Sequence, residues 1–184
     1  MNWNNHSRLE GKHAYLSASK SHWVRYTDEH FVETFKNEMA KQRGTELHEL
    51  ACKCINMKIK LPKNNLTLNQ HVNDAIGLHM DAEKVLYYSE NCFGTADAIS
   101  FKNNVLRIHD LKTGVGKVHM TQLYVYAALF CLEYGYKPGE IKIICRIYQN
   151  NEVLEDCPNA DDILPIMDKI IHFDKMLNKL KEEV

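Results

Sequence analysis

The chain has 184 residues, of which 45% are hydrophobic and 26% charged, and its formal net charge is −1. This composition is typical of one globular domain and excludes disordered, collagen-like and solenoid proteins. A net charge so close to zero gives no global field to hold a polyanion, so any nucleic-acid binding must be local. No stretch approaches the roughly 20 apolar residues of a membrane span, so we expect a cytoplasmic protein with no membrane association.

The six cysteines are not arranged as a disulfide or metal framework. None belongs to a C-x-x-C pair, and most lie inside apolar runs. We therefore predict that they are reduced residues of the core.

The predicted elements begin with helices. A helical N-terminal segment occupies about residues 1–43, and Gly44-Thr45 opens a second helix that runs to about residue 60, with Thr45 as its N-cap. A further helix is predicted over about residues 68–83.

Three strands follow these helices. The segments 85–90, 93–101 and 105–111 are short, rich in β-branched and aromatic residues, and separated by turn signals. Asn103-Asn104 tolerates the positive φ angles of a two-residue hairpin loop. Adjacent strands joined by such tight turns must be antiparallel.

A helix over about residues 118–134, a fourth strand over 140–149 and a C-terminal helix over about 161–183 complete the chain. This order predicts a single α/β domain over residues 1–184, with a mixed β-sheet flanked by helices. The last helix carries a continuous apolar stripe that either packs on the chain's own sheet or forms the seam of a homo-oligomer. Its members are Ile163, Ile166, Ile170, Phe173, Leu177 and Leu180.

The predicted hairpin at Asn103-Asn104 brings two acids together. Its register places Asp97 directly across from Asp110, and the two carboxylates would repel each other by about 3 kcal/mol at an effective dielectric constant near 20. Such a pair predicts a bound cation. Lys112 shares a side of its strand with Asp110, so its ammonium could hold a water molecule or stabilise a phosphate oxygen. The alternative is a surface hairpin with a cross-strand Lys-Asp pair.

Three further side chains could complete a site. His48 lies on the inward stripe of its helix and could bind the metal from above the sheet, although a core-facing histidine is more often only packed and hydrogen-bonded. Gln122 and Tyr126 are four residues apart on one helix face, where they could bind a phosphate or orient Lys112. Alone, such a pair is most often just a helix surface.

Four motifs in order, G-T-x-x-H, G-T-A-D, D-L-K-T-G and Q-x-x-x-Y, resemble the PD-(D/E)XK nuclease superfamily, in its RecB-like and phage exonuclease branch. The resemblance spans roughly residues 16–149 and implies a restriction-endonuclease-like core with the order αβββαβ. Ala96 replaces the proline of the motif.

The resemblance implies roles for individual residues. It makes Asp97, Asp110 and Lys112 catalytic, His48, Asp97, Asp110 and the Leu111 carbonyl metal ligands, and Gln122 and Tyr126 substrate-binding residues. Glu46, as an extra acid for a second metal, Thr113 and Lys117 are further candidates.

The implied activity is that of a Mg²⁺- or Mn²⁺-dependent deoxyribonuclease, a phage or prophage exonuclease of DNA processing or recombination, acting in the host cytoplasm. Its partners would be DNA and a recombination or single-strand-binding protein. Only Cys157 follows the last predicted core strand, and no Walker motif is present, so we expect neither an iron–sulfur cluster nor a nucleotide. The alternative is a non-catalytic DNA-binding or regulatory protein on a nuclease scaffold. Candidates for a local DNA groove are Lys12, Lys20, Arg25, Lys41, Arg43 and Lys117.

Overall fold

The computed structural model describes residues 4–12 and 14–183. The chain divides into two compact units, Met1–Gln42 and Arg43–Val184. Helix α1, Asp28–Met57, contributes residues to both.

The smaller unit is organised around aromatic side chains. Two 3₁₀ segments, Ser7–Leu9 and Ala18–Arg25, precede α1. The ring of Tyr15 packs edge-on against Phe31 and Phe35, with centroid separations of 5.7 and 5.2 Å. These contacts pack the N-terminal segment against the first turns of α1.

The larger unit is an α/β structure with a five-stranded mixed sheet flanked by helices. The strand order is β1-β2-β3-β4-β5, with β3 and β4 parallel and the other neighbouring pairs antiparallel. After α1, its elements are α2 (Thr67–Gly77), β1 (Asp81–Ser89), β2 (Cys92–Lys102), β3 (Val105–Leu111), α3 (Thr121–Tyr134), β4 (Lys142–Gln149), β5 (Glu152–Asp156) and α4 (Ala160–Glu182).

The predicted β2–β3 hairpin is confirmed. Lys102 pairs with Val105, and the two loop asparagines have φ angles of 50° and 58°. A second Asn-Asn loop, Asn150-Asn151, joins β4 to β5 with φ angles of 52° and 63°. The strand after this second loop was not predicted, although the loop carries the same turn signal.

The predicted helix start at Gly44-Thr45 is wrong, because α1 runs continuously through both residues. Gly44 instead permits a close approach: a Cβ atom there would lie 2.8 Å from the Thr113 Oγ1 atom. Glycine costs about 1 kcal/mol in a helix relative to alanine. This mid-helix glycine therefore marks packing rather than a boundary.

The helix predicted to extend to residue 83 ends earlier. Helix α2 stops at Gly77, His79 has a positive φ of 55°, and β1 begins at Asp81. The left-handed residue turns the chain out of the helix. As a result, Glu83 lies on a strand.

The two faces of the sheet support two apolar cores. One packs against α3 and α4, and the other against α2 and the part of α1 that belongs to the larger unit. The first includes Leu106, Ile108, Leu123, Ile147 and Ile163, and the second includes Ala51, Val72, Leu111 and Tyr148.

The apolar stripe of α4 is only partly covered. Ile163 is buried, and Ile166 and Ile170 pack against the first core. The last members of the stripe, Phe173, Leu177 and Leu180, are exposed. The first half of the stripe therefore packs against the first core, chiefly against α3, and the homo-oligomer stays a prediction.

All six cysteines are free. Burial raises the pKa of the Cys131 thiol to about 11 and that of Cys145 to about 12, so both remain protonated. Cys157 is the only exposed thiol among them. Among the described residues, no helix combines the length and the apolar character that crossing a bilayer requires.

Candidate metal centre

Three side chains with metal-binding atoms converge in the larger unit. His48 comes from α1, Glu83 from β1 and Asp97 from β2, and one ligand atom of each lies within 4.8 Å of the others. An imidazole nitrogen and two carboxylate oxygens at this separation could hold a metal ion.

The β1–β2 register positions the two acids of this cluster. The neighbours of Glu83 on β1 pair with the neighbours of Asp97 on β2, so the two carboxylates lie across from each other. Glu83 has a backbone φ angle of 51°, in the left-handed region that residues other than glycine rarely adopt. Such strain persists where the surrounding structure imposes it, which is frequent at functional sites.

Asp97 contacts both α1 and β3. Its Oδ1 atom lies 3.3 Å from His48 Nδ1, and its Oδ2 atom accepts a 2.7 Å hydrogen bond from the Leu111 backbone N–H. Burial raises the pKa of Asp97, but the hydrogen bonds from His48 and Leu111 outweigh it and lower the pKa overall. The same hydrogen bond with Asp97 raises the pKa of His48. Because a metal binds neutral imidazole, metal binding here would release a proton.

Two effects disfavour the charged form of Glu83. Partial desolvation and, second, repulsion by the Asp97 carboxylate raise the pKa of Glu83. A divalent cation between the two carboxylates would remove that repulsion. The electrostatics of the pair therefore favour a bound cation.

The predicted amine lies beside the second acid of the hairpin. Lys112 Nζ donates to Asp110 Oδ1 at 3.2 Å and to Gln122 Oε1 at 2.7 Å. Gln122 in turn donates from Nε2 to the Tyr126 hydroxyl at 3.1 Å, and that hydroxyl donates to the Thr95 carbonyl at 2.7 Å. Gln122 thus contacts Lys112 directly, Tyr126 contacts it only through Gln122, and the orienting role stays a prediction.

A glycine makes room for this network. A Cβ atom on Gly94 would lie 2.9 Å from the ring of Tyr126. The glycine of the G-T-A-D motif therefore allows the tyrosine ring to lie directly against the backbone of β2, next to the carbonyl that it binds.

Asp110 has a carboxylate oxygen that is incompletely used. The residue is 3% exposed, and its Oδ2 atom is buried without a hydrogen bond, although Lys112 Nζ lies 3.0 Å away. Burial first, and the charge of Asp97 second, raise the pKa of Asp110. The nearby Lys112 ammonium partly offsets both effects.

The structural cluster differs from the predicted ligand set. Glu83 completes the 4.8 Å group, and Asp110 is not a member of it among the described residues. Leu111 contributes its N–H to Asp97, whereas the metal-binding role predicted for it uses its carbonyl oxygen and stays a prediction. Glu46 is exposed on α1 and is not in the group either.

Glu83 was missed because its segment was assigned to a helix. The β1–β2 pairing places Glu83 across from Asp97, but the register shifts between Tyr87 and Ser89, so the turn of this hairpin does not by itself predict the pair. Thr113 lies against Gly44, and Lys117 is exposed in the segment after β3.

The cations predicted to line a DNA groove are all exposed. Lys12, Lys20, Arg25 and Lys41 belong to the smaller unit, and Arg43 and Lys117 to the larger one. Their assembly into one groove stays a prediction.

A separate pair of histidines is buried in the core on the α2 side of the sheet. His71 is 1% exposed, and neither ring nitrogen makes a hydrogen bond within the described structure. His109 Nδ1 lies 3.1 Å from the Tyr148 hydroxyl, which donates its proton to Asp74 at 2.8 Å. His109 must therefore donate from Nδ1 to the tyrosine oxygen. Burial lowers the pKa of His71 to about 4 and that of His109 to about 3, so both are neutral.

No protein-family model, curated protein or solved structure matches this chain. A function must therefore be inferred from the residues and the geometry of the chain itself.

Proposed function

We propose that this protein is a Mg²⁺- or Mn²⁺-dependent deoxyribonuclease of the PD-(D/E)XK type, a phage or prophage exonuclease that hydrolyses DNA phosphodiester bonds. The observation that carries the proposal is the position of Asp97. Its carboxylate binds the metal-ligand candidate His48 on one side and, on the other, the backbone N–H between Asp110 and Lys112. Asp97 thereby links the candidate metal ligand His48 to the strand that ends next to Lys112.

The donor atoms favour a hard divalent cation. Two carboxylates and one imidazole suit Mn²⁺ well and Mg²⁺ with added water ligands. The Oδ2 atom of Asp110, which pairs with Lys112 Nζ at 3.0 Å, is a further candidate oxygen. When bound, such an ion polarises a phosphoryl oxygen and lowers the pKa of a water molecule.

Lys112 is held for a role at the reacting phosphate. Its ammonium has three N–H donors, and in the described structure Asp110 and Gln122 use two of them. The third can donate to a water molecule or to a phosphate oxygen on which negative charge develops. Asp110 and Gln122 fix the position of the amine before substrate binds, so little reorganisation is required.

The order of elements supports the same proposal. A helix, three antiparallel strands, a helix and a parallel strand follow one another from α2 to β4. This succession is the αβββαβ order that the sequence motifs imply, with β5 and α4 added after it.

Cleavage of labelled DNA in Mg²⁺ or Mn²⁺ tests the proposal. We expect Lys112→Ala to lower the cleavage rate by about 10²–10³-fold or more, because it removes a preorganised cationic donor. Asp110→Asn should be similarly impaired. Lys142→Ala, which changes an exposed lysine of β4, should cleave like the wild type.

Undiminished cleavage by both Lys112→Ala and Asp110→Asn would contradict the proposal. Linear, circular, nicked and single-stranded substrates compared in one series would distinguish an exonuclease from an endonuclease. If Mn²⁺ stabilises the wild type and no substrate is cleaved, the non-catalytic alternative is supported instead.

A further inference from the structure

The outer end of the β1–β2 hairpin carries an exposed apolar strip in the larger unit. Phe93 is 61% exposed, Val85 51% and Tyr87 41%. Tyr87 pairs with Phe93, and Val85 with the exposed Thr95, so the four side chains form two successive cross-strand pairs. We name these four residues the hairpin platform.

The hairpin platform lies on the same face of the sheet as the metal centre. Leu86 and Ala96 belong to the core that packs against α3, so their strand neighbours in the platform project from the opposite face. His48 reaches Asp97 on that opposite face, where α1 packs. The platform therefore continues the row of cross-strand pairs that begins with the two acids of the centre.

The distance between the centre and the platform suits a polymeric substrate. Phe93 is four residues from Asp97 on β2, which is about 13 Å along an extended strand. If one phosphate of a nucleic-acid strand lay at the metal centre, the bases next to that phosphate would reach the platform. Aromatic side chains on an open sheet face are a recurrent surface for stacking unpaired bases.

Two observations argue against a protein occupant. The edge of β1 is closed to strand addition at this end, since the Tyr87 N–H donates to Glu133 Oε2 at 2.8 Å. A stable protein interface also involves about 20–30 residues on each side, whereas the platform has only four. The Tyr87 hydroxyl donates to Glu90 at 3.3 Å, which leaves the ring face for contact with a ligand.

We propose that the hairpin platform stacks unpaired bases of single-stranded DNA that leads into the metal centre. This inference rests on the proposed nuclease function for its substrate, and it adds that the substrate strand is single or locally unpaired beside the cleaved bond. Bases inside a duplex already stack on each other and would not contact the platform.

Binding of the full chain to two fluorescent oligomers in EDTA tests this proposal without cleavage. One is an oligothymidylate of about eight nucleotides, and the other is the same phosphodiester chain without bases. We expect the wild type to bind the base-bearing oligomer about tenfold more tightly. Phe93→Ala should lose most of this preference and bind the abasic oligomer like the wild type.

Matched variants separate stacking from loss of structure. Phe93→Trp should restore the preference for bases. Tyr134→Ala, which removes a 51% exposed aromatic residue of α3 outside the platform, should retain it. The proposal is overturned if the wild type binds neither oligomer or binds both equally, or if Phe93→Ala keeps the preference.

The same variants distinguish failure of this inference from failure of the proposed function. DNA cleavage by a wild type that shows no preference for bases would overturn the platform and leave the nuclease intact. A preference for bases that depends on Phe93, in a protein that cleaves no DNA, would support the platform and remove the nuclease.

Discussion

The candidate metal centre and the buried histidine pair belong to the same unit, yet their imidazoles respond to their surroundings in opposite ways. His48 contacts the Asp97 carboxylate, and this contact raises its pKa even though burial acts against the charged form. His71 makes no hydrogen bond in the described structure, and burial lowers its pKa to about 4. His109 binds a tyrosine hydroxyl rather than a carboxylate, and its pKa falls to about 3.

The difference shows that the partner, rather than burial alone, decides what a histidine does here. At the metal centre a carboxylate stabilises a proton that a divalent cation can replace. In the core the two imidazoles serve as neutral packing groups around Tyr148, with ring centroids 5.2 and 5.4 Å from its ring. The two regions should therefore respond differently to metal, to charge removal and to acid.

The largest expected effect is the loss of metal binding in Asp97→Asn. The wild type should unfold at a higher temperature in Mn²⁺, with about 2.7 kcal/mol of added stability at a metal concentration 100 times the Kd. Asp97→Asn removes the shared carboxylate but keeps an oxygen for the Leu111 N–H. We therefore expect it to fold and to show no such shift. Asp81→Asn, at the exposed start of β1, is the control and should respond like the wild type. An unchanged Mn²⁺ shift in Asp97→Asn would show that the metal binds elsewhere.

A smaller effect is expected for Glu83→Gln, which tests the ligand that the structure adds to the sequence prediction. The variant loses one of two facing carboxylates, so the Mn²⁺ affinity measured by titration calorimetry should fall by at least about tenfold. Glu46→Gln changes the extra acid that the sequence analysis suggested, and this variant should bind Mn²⁺ like the wild type. If Glu46→Gln lowered the Mn²⁺ affinity more than Glu83→Gln, the second acidic ligand would lie on α1 instead of β1.

A third effect, independent of metal, is expected from acid acting on the buried histidine pair. A histidine that is neutral in the fold but titrates near pH 6.5 when unfolded binds more protons in the unfolded state. Stability should therefore fall as pH drops from 6.5 toward 4, by about 1.4 kcal/mol per pH unit for each histidine. His48 has the opposite sign, since its raised pKa gives stability that is present below pH 6.5 and lost as pH rises through the folded pKa.

Urea unfolding of His71→Phe at pH 7, 6 and 5 measures this contribution. The ring nitrogens of His71 make no hydrogen bond in the described structure, so phenylalanine loses none and keeps a similar volume. We expect the variant to lose about half of the acid sensitivity that the pair contributes. An unchanged slope would mean that His71 is already protonated, or paired, in the folded protein.

The parts of this structure that could be predicted from sequence depend on local chemistry. The Asn103-Asn104 loop sets the β2–β3 register by its own backbone preference, and this register places Asp110 beside the strand of Asp97. Likewise, the four-residue spacing on α3 brings Gln122 and Tyr126 together. Such signals involve only neighbouring residues, so no knowledge of the tertiary fold is needed.

The parts that were missed depend on contacts between distant segments. Glu83 adopts a left-handed conformation within a strand, which no local preference of glutamate predicts. Gly44 resembles a helix boundary in sequence, and its packing against Thr113 becomes visible only when α1 and β3 are placed together. The predicted ligand set therefore lacked a candidate whose backbone conformation the sequence does not favour.

The unequal burial of the thiols has a practical use. Cys157 follows β5 on a segment that carries none of the candidate site residues, and its sulfur is accessible. The core thiols of Cys131 and Cys145 stay protonated and enclosed, which makes them poor nucleophiles toward maleimides. A dye attached through Cys157 therefore gives a reporter for following the proposed DNA binding by energy transfer, without altering the candidate site residues.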